Sequence, residues 1–196
     1  MITLALETST PRGGVALFRD GALVFCESFM GDRSHSSELF VVIERAMAGG
    51  VNPDRIVVGL GPGSYAGVRI AIAAAIGISV ATGAELIGVP SIAGLAEGEY
   101  IAVGDARRGG YSFAHLRDGE MVTGPMVVTV EEARERMMVG GIPVYSSEEL
   151  GWDGVEMRYP EVERVGTLGD EGKGVWARDA LEPIYLREPH ITQPKN

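Results

Sequence analysis

The segment from residue 55 to residue 83 constrains the fold more than any other part of the chain. Residues 56–58 are three consecutive β-branched apolar residues, which is typical of a strand buried on both faces of a parallel sheet. A glycine-rich turn at residues 61–67 follows, and it leads into a long apolar helix that should end near Thr82-Gly83. This order of strand, tight turn and helix predicts an α/β protein.

Hairpin signals place further strands on both sides of this unit. Residues 14–19 and 22–29 flank Asp20-Gly21, and residues 110–116 and 121–128 flank Asp118-Gly119. An Asp-Gly pair between apolar runs is a strong signal for a two-residue turn. Each hairpin is preceded by an apolar run, at residues 2–6 and 100–103, so each half of the chain begins with three predicted strands.

The predicted order of elements then occurs twice. In the first half a helix between residues 34 and 49 precedes the strand at 55–60, and a strand at 85–88 follows the long helix. In the second half a helix opened by a Thr129–Glu132 capping box precedes a strand at 142–145. We therefore predict a duplicated architecture with subdomains at residues 1–90 and 91–196. Residues 151–174 show little periodicity and predict loops with one short helix around 162–168, whereas residues 181–187 predict a docked segment.

The glycine turn has two interpretations. Amides at the start of a helix can hold an anion, because they lie at the positive end of the helix dipole. Glycines can also simply permit a tight turn and close packing. The turn has no Gly-Lys-Ser/Thr and its glycine spacing is G-x-G-x-x-x-G, so the sequence excludes a P-loop and the dinucleotide fingerprint.

The two helices of the first half predict an uncovered apolar surface. Leu39, Val42, Ile43, Ala46 and Met47 form a core stripe, which leaves Phe40 at its rim and Val41 nearly opposite. Small residues surround the second helix on all sides, so both of its faces need a cover. A protein partner would explain both features, and a loop from the second half is the alternative.

Composition restricts the classes of function. The net charge of −10 opposes non-specific binding to nucleic acid, which depends on cationic side chains. The single cysteine, Cys26, cannot form an intramolecular disulfide, and we expect it to be a small buried residue in a strand. The longest uncharged stretch, residues 70–84, is shorter than the roughly 20 residues that span a bilayer. With no signal peptide evident at the N-terminus, we expect a cytoplasmic protein with no membrane contact.

Several short motifs, in order along the chain, resemble the TsaB (YeaZ) family. Residues 61–69, Gly-Pro-Gly-Ser-Tyr-Ala-Gly-Val-Arg, resemble its G-P-G-S-F-T-G-L-R signature, with departures at Tyr65, Ala66 and Val68. Residues 4–9, 34–39, 105–108 and 183–187 are similar to its first strand and turn, its first helix start, its Asp-Ala-Arg turn and its C-terminal Pro-x-Tyr-Leu-Arg. Residues 151–174 are not covered.

The resemblance implies an actin/hexokinase/Hsp70-like (ASKHA) fold, with two duplicated subdomains that each contain a mixed sheet flanked by helices. It implies a catalytically inactive subunit that binds and activates TsaD, joins TsaE, and serves the transfer of a threonylcarbamoyl group to adenosine 37 of tRNA. A homodimer is expected when TsaD is absent, and tRNA would be bound only through the complex. The interface would use the two N-terminal helices, and its expected residues are His35, Leu39, Phe40, Val41, Ile43, Met47, Tyr65, Arg69, Ile70, Ala73, Ala74 and Gly77.

No intrinsic cofactor or metal site is expected. ATP or ADP could lie at the partner interface, and candidate anion or nucleotide contacts are Glu7, Thr8, Ser9, Gly61, Gly63, Ser64, Asp105 and Arg107. Glu7 occupies the position of the superfamily's phosphate-turn aspartate. Two other hypotheses stay open, namely an autonomous ATP-dependent enzyme that uses Glu7, Ser9 and Asp105, and a homodimer with a small ligand between its subdomains. For Arg69 the alternative to a partner contact is a salt bridge at the helix start, and for Asp105 it is a turn with a local hydrogen bond.

Overall fold

The computed structural model describes residues 1–31, 35–138 and 140–187, without the side chains of residues 35 and 36. The expected partner contact of His35 therefore lies outside the described residues. The first sheet has six strands in the order β11-β5-β4-β1-β2-β3. Its strands are β1 Ile2–Glu7, β2 Arg12–Arg19, β3 Ala22–Met30, β4 Arg55–Gly59, β5 Glu85–Val89 and β11 Ala177–Arg178. Two helices, α1 His35–Ala46 and α2 Tyr65–Thr82, belong to the same part of the chain.

The second sheet repeats the arrangement of the first. Its order is β10-β9-β6-β7-β8, which matches β5-β4-β1-β2-β3 strand for strand. Its strands are β6 Glu99–Asp105, β7 Tyr111–Arg117, β8 Glu120–Val128, β9 Val144–Ser146 and β10 Val155–Met157. Helix α3 Val130–Met137 precedes β9, as α1 precedes β4, and a short 3-10 helix, Ser91–Gly94, joins the halves. The predicted duplication is therefore confirmed.

Several of these elements occur where local sequence signals predicted them. Asp20 and Gly21 have φ angles of 52° and 79°, and Asp118 and Gly119 have φ angles of 52° and 85°. Both pairs adopt the left-handed conformations of a type I′ turn, which matches the twist of a hairpin. Thr129 forms the capping box of α3 with both of its hydrogen bonds. The strand at residues 55–60 is a central one, because β4 pairs in parallel with both β1 and β5.

The first sheet is covered on both faces. Leu4 and Leu6 of β1 point into a core shared with α1 and α2. Ala5 points to the opposite side, into a core shared with the second sheet and with α4, Val162–Glu171. A third core lies behind the second sheet and contains Ala133 of α3. The layers therefore run from α1 and α2, through the first sheet, α4 and the second sheet, to α3.

The end of the chain returns to the first sheet. Strand β11 pairs with β5, and Thr3 of β1 donates a hydrogen bond to Asp170 of α4 at 2.5 Å. The sequence predicted α4 but neither β10 nor β11. Strand β11 has only two residues, and its position depends on a partner strand that lies about ninety residues away in the sequence.

One expectation about burial and one about helix length need correction. Cys26 is exposed rather than buried, because β3 is the edge strand of the first sheet and Cys26 lies on the face opposite to Phe25 and Phe29, which pack against the first core. Helix α2 has 18 residues and a mean hydropathy of 1.6, so by length and composition alone it could cross a membrane, whereas the uncharged stretch at residues 70–84 was expected to be too short. In this structure one side of α2 packs into the first core, where Val68, Ala71 and Ala75 are buried.

Candidate functional site

The outward side of α1 and α2 is an apolar surface that no other described part of the chain covers. Both helices pack on the same face of the first sheet, so their other sides point away from it together. The exposed fractions are 54% for Phe40, 41% for Val41, 43% for Ile76 and 83% for Val80. No described segment of the chain covers these side chains, so the alternative of a covering loop has no support among the described residues.

Burial divides the residues expected at the partner interface. Six of them are exposed, namely Phe40, Val41, Tyr65, Arg69, Ala73 and Gly77, and two, Met47 and Ile70, are partly buried. Leu39, Ile43 and Ala74 are 0%, 7% and 5% exposed, and they lie in the chain's own first core. This is a correction to the expected interface, because side chains that already pack against the sheet cannot also contact a partner.

The glycine turn packs backbone to backbone against the turn after β1. The Ser64 amide donates to the Ser9 carbonyl at 2.6 Å, and the Thr8 hydroxyl donates to the Gly67 carbonyl at 2.8 Å. A Cβ on Gly67 would stand 2.0 Å from the Thr8 carbonyl oxygen. The Ser64 hydroxyl caps α2 by accepting from the Gly67 amide. Close packing therefore explains these glycines, and anion binding at the turn stays a prediction.

Glu7 is buried behind this turn. It is 1% exposed, and its Oε1 accepts the Ser9 amide at 2.5 Å. Its Oε2 lies beneath Gly59, where an added Cβ would be 1.7 Å from Oε2 and 2.7 Å from the Ser91 hydroxyl. The Ser91 hydroxyl in turn accepts the Gly61 amide at 2.9 Å. Burial raises the pKa of Glu7, because the charged form loses its hydration.

A cleft of about 850 Å³ opens between the two halves. Its apolar wall includes Leu60, Ile92 and Phe113, and Asp105 and Arg107 lie at the second half's side. Among the candidate anion contacts, the residues that line the cleft are Ser9, Gly63, Ser64, Asp105 and Arg107, whereas Glu7, Thr8 and Gly61 do not line it. For Glu7 and Thr8 this corrects the expected site, because both side chains are buried and form hydrogen bonds inside the protein.

Asp105 and Arg107 form a local turn. Asp105 Oδ1 accepts the Arg107 amide at 2.7 Å, and Oδ2 accepts from the Arg107 guanidinium at 3.0 Å. Arg107 has a φ angle of 63°, which places it in the left-handed region. The alternative of a turn with a local hydrogen bond is therefore confirmed for Asp105, and it leaves that carboxylate partly neutralised at the rim of the cleft.

The C-terminal segment 181–187 crosses from one half to the other. Leu181 is buried in the first core, and the Ile184 amide donates to the Leu60 carbonyl at 2.8 Å. The Tyr185 ring stacks on Tyr65 with centroids 5.3 Å apart. The Arg187 guanidinium reaches Gly110, where an added Cβ would be 2.1 Å from it. The docked segment predicted from the sequence is confirmed, but its contacts with α2 had no sequence signal.

Arg69 contacts Tyr65 rather than an acid. Its guanidinium donates to the Tyr65 hydroxyl at 2.6 Å and lies 5.1 Å from the centroid of that ring. No ion pair of Arg69 occurs among residues 1–31, 35–138 and 140–187, so the predicted alternative of a salt bridge finds no support in the described chain. In the same residues no group of three or more His, Cys, Asp or Glu side chains could hold a metal ion.

Comparison with known proteins gives a matching family model and relatives that align with most of the chain. Residues 30–160 match the family model of TsaD, tRNA N6-adenosine threonylcarbamoyltransferase. An uncharacterised protein of Mycobacterium tuberculosis is 30% identical over 95% of this chain and 92% of its own length. The tRNA threonylcarbamoyladenosine biosynthesis protein TsaB of Escherichia coli K12 is 28% identical over 95% of each chain.

Two solved structures share the fold. One is described as an uncharacterised protein with similarity to peptidase YeaZ from Pseudomonas aeruginosa, with a TM-score of 0.76, 25% identity, and coverage of 95% of this chain and 99% of its own. The other is YeaZ from Pseudomonas aeruginosa, with a TM-score of 0.71, 24% identity, and coverage of 87% and 91%. Together with two mixed sheets of matching strand order, these structures confirm the expected ASKHA fold.

Proposed function

Since this chain belongs to the TsaD family of tRNA N6-adenosine threonylcarbamoyltransferases, within its TsaB (YeaZ) branch, we propose that it is the non-catalytic subunit that binds and activates TsaD. Its role lies in the synthesis of threonylcarbamoyladenosine on tRNA. TsaD transfers the threonylcarbamoyl group to adenosine 37 in this proposal, and TsaE joins the pair. The complex is cytoplasmic, and the chain contacts tRNA only through it.

The uncovered face of α1 and α2 is the observation that carries the proposal. Exposed large apolar side chains that lie together on one side of a protein mark a protein interface. Phe40 and Val41 on α1 and Ile76 and Val80 on α2 are such side chains. We propose that TsaD covers this face, that a second copy of the chain covers it when TsaD is absent, and that any ATP or ADP of the complex binds at its edge.

The position of Glu7 gives less support to an autonomous ATP-dependent enzyme. Such an enzyme would place a carboxylate in the cleft, where it could approach a metal-bound nucleotide. Glu7 is instead buried behind the glycine turn, with one oxygen bonded to the Ser9 amide. Glu7 is also absent from the residues that line the cleft. A carboxyl group held inside the protein in this way is poorly placed to approach a metal-bound nucleotide, so the non-catalytic role accounts better for this residue.

Light scattering after size-exclusion chromatography tests the proposal, with the chain alone and mixed with TsaD from the same organism. We expect a one-to-one complex that Val41→Glu abolishes. Val122→Glu is the matched control, because Val122 is also a surface valine, 49% exposed, but lies in β8 of the second sheet. Loss of the complex with both variants, or no complex with the unmodified chain, would contradict the proposed interface.

A further inference from the structure

A shallow groove lies between α2 and the C-terminal segment 181–187. It has a volume of about 500 Å³. Ile72, Ala73 and Ile76 of α2 line one side of it, and Leu181 and Pro183 of the C-terminal segment line the other. Ile76 is 43% exposed and belongs to the uncovered face of α2. The groove is therefore continuous with the surface proposed above for partner binding, and the C-terminal segment adds a second wall to it.

Two opposite charges stand at the groove. Arg69 and Glu182 both line it and both are exposed. Within the described part of the chain neither side chain has an ion-pair partner. Eight other Lys or Arg side chains there do form ion pairs, namely Arg45, Arg55, Arg107, Arg117, Arg158, Arg164, Lys173 and Arg178. In a chain with a net charge of −10, acids are plentiful, so an arginine without one on an apolar face is available to an outside carboxylate.

The Arg69 side chain is held in place before any partner arrives. Its guanidinium donates to the Tyr65 hydroxyl at 2.6 Å and lies over the Tyr65 ring. Tyr185 stacks on the same Tyr65 ring with an interplanar angle of 30°. Leu181 and the Ile184 amide anchor the segment that carries Tyr185. A guanidinium held in this way loses less side-chain freedom on binding than a free one does.

We propose that the groove receives a segment of the partner subunit in which an aliphatic side chain lies next to a carboxylate, and that Arg69 pairs with that carboxylate. Tyr185 acts as a positioning residue for Tyr65 and Arg69. This inference rests on the proposed function, and it adds the chemistry of the partner segment and a role for the C-terminal segment in the interface. A protein segment fits better than a small ligand because the groove is open along α2 and continues into the face that holds Ile76 and Val80.

Titration calorimetry of the full chain with TsaD from the same organism tests the inference at 0.05, 0.15 and 0.5 M NaCl. We expect Arg69→Gln to weaken binding by about 10- to 100-fold and to flatten the salt dependence, because it removes a charge pair. Arg69→Glu should weaken binding further, through repulsion of the partner carboxylate. Arg19→Gln, which changes an exposed arginine in β2, is the matched control and should leave binding unchanged.

Variants of Tyr185 test whether its ring positions Tyr65 and Arg69. Tyr185→Phe keeps the ring stack and should keep the affinity, whereas Tyr185→Ala should weaken binding by about tenfold, the scale of one lost positioning contact. The melting temperature of each variant shows whether it is folded. If the unmodified chain binds TsaD and Val41→Glu abolishes binding, but both Arg69 variants behave like Arg19→Gln, the groove inference is wrong while the proposed function stands. If the unmodified chain does not bind, both are wrong.

Discussion

The carboxyl group of Glu7 lies directly beneath the Cα of Gly59, so that a Cβ on Gly59 would stand 1.7 Å from Glu7 Oε2. Both residues end neighbouring parallel strands of the first sheet, β1 and β4. Only a glycine leaves room for a carboxyl group at this place. The contact fixes the end of β4, from which the glycine turn and α2 begin, and so it positions the face proposed for the partner.

Substitution of Gly59 tests this contact by a double-mutant cycle. Gly59→Ala should reduce the free energy of unfolding by about 1–3 kcal/mol or more, because the buried carboxyl cannot move aside. In a Glu7→Ala background the same substitution should cost at least about 1 kcal/mol less, since the two side chains no longer compete for space. Urea unfolding of the four proteins gives the coupling energy.

Gly88→Ala is the control for this cycle. A Cβ on Gly88 would meet Leu60 at 2.3 Å, but it does not approach Glu7. The loss of unfolding free energy that Gly88→Ala causes should therefore be the same with and without Glu7→Ala. Equal costs of Gly59→Ala in both backgrounds would show that Glu7 does not occupy this space in solution.

The raised pKa of Glu7 predicts a dependence of stability on pH. Between the unfolded-state pKa, near 4.5, and the higher folded-state pKa, the folded protein binds more protons than the unfolded one. The free energy of unfolding should therefore fall as pH rises through this range and level off above it. Glu7→Gln imitates the protonated form, so it should raise the melting temperature at pH 8 by about 2–4 °C for each kcal/mol gained.

Calorimetry from pH 4 to pH 8 checks this sign. The difference between Glu7→Gln and the unmodified chain should shrink towards pH 4, where both carry a neutral group. The exposed Glu149 supplies a control, Glu149→Gln, which should not show this pattern. A melting temperature that is lower for Glu7→Gln at pH 8 would mean that folding favours the charged carboxylate, so that the pKa of Glu7 is not raised in the folded protein.

The sequence predicted the elements whose signals are local. Asp20-Gly21 and Thr129 with Glu132 determine a turn and a helix start through contacts within three residues, and both formed as predicted. The strand β11 carries no such signal, because it exists through hydrogen bonds to β5. The duplicated order of strands could be predicted because each half repeats the same sequence of local patterns.

The candidate site was harder to predict, because it depends on side-chain direction. Glu7 ends β1 beside a turn where a carboxylate could serve a nucleotide, and only the close approach of Gly59 shows that it points inward. A glycine at the end of a strand is the one sequence signal of that approach. The stack of Tyr65 on Tyr185 joins residues 120 positions apart, and no periodicity could indicate it.

Gly77→Ala should affect stability and binding in opposite directions. Gly77 lies inside α2 on its exposed side, and an added Cβ would meet nothing within 4 Å. Alanine should therefore stabilise the isolated chain by about 0.5–1 kcal/mol through its higher helix propensity. The same methyl group should weaken the complex with TsaD if a partner helix packs closely there, and Gly77→Leu should weaken it more.

Chemical unfolding and titration calorimetry measure the two effects of Gly77→Ala separately. Thr167→Ala serves as the control, because Thr167 is exposed on α4 and outside the proposed interface. It should leave binding unchanged. An unchanged affinity for TsaD in both Gly77 variants would place this part of α2 outside the interface.

Leu39 and Phe40 are neighbours in α1 and should respond to truncation in opposite ways. Leu39 is fully buried against the first sheet, so Leu39→Ala should cost about 2–5 kcal/mol of unfolding free energy by leaving a cavity. Phe40 is 54% exposed, so Phe40→Ala should change stability by less than about 1 kcal/mol. The same change should weaken the complex with TsaD by tenfold or more, about 1.4 kcal/mol, because a large aromatic side chain leaves the interface. Urea unfolding and calorimetry measure both quantities, and a stable complex formed by Phe40→Ala with unchanged affinity would move the interface away from α1.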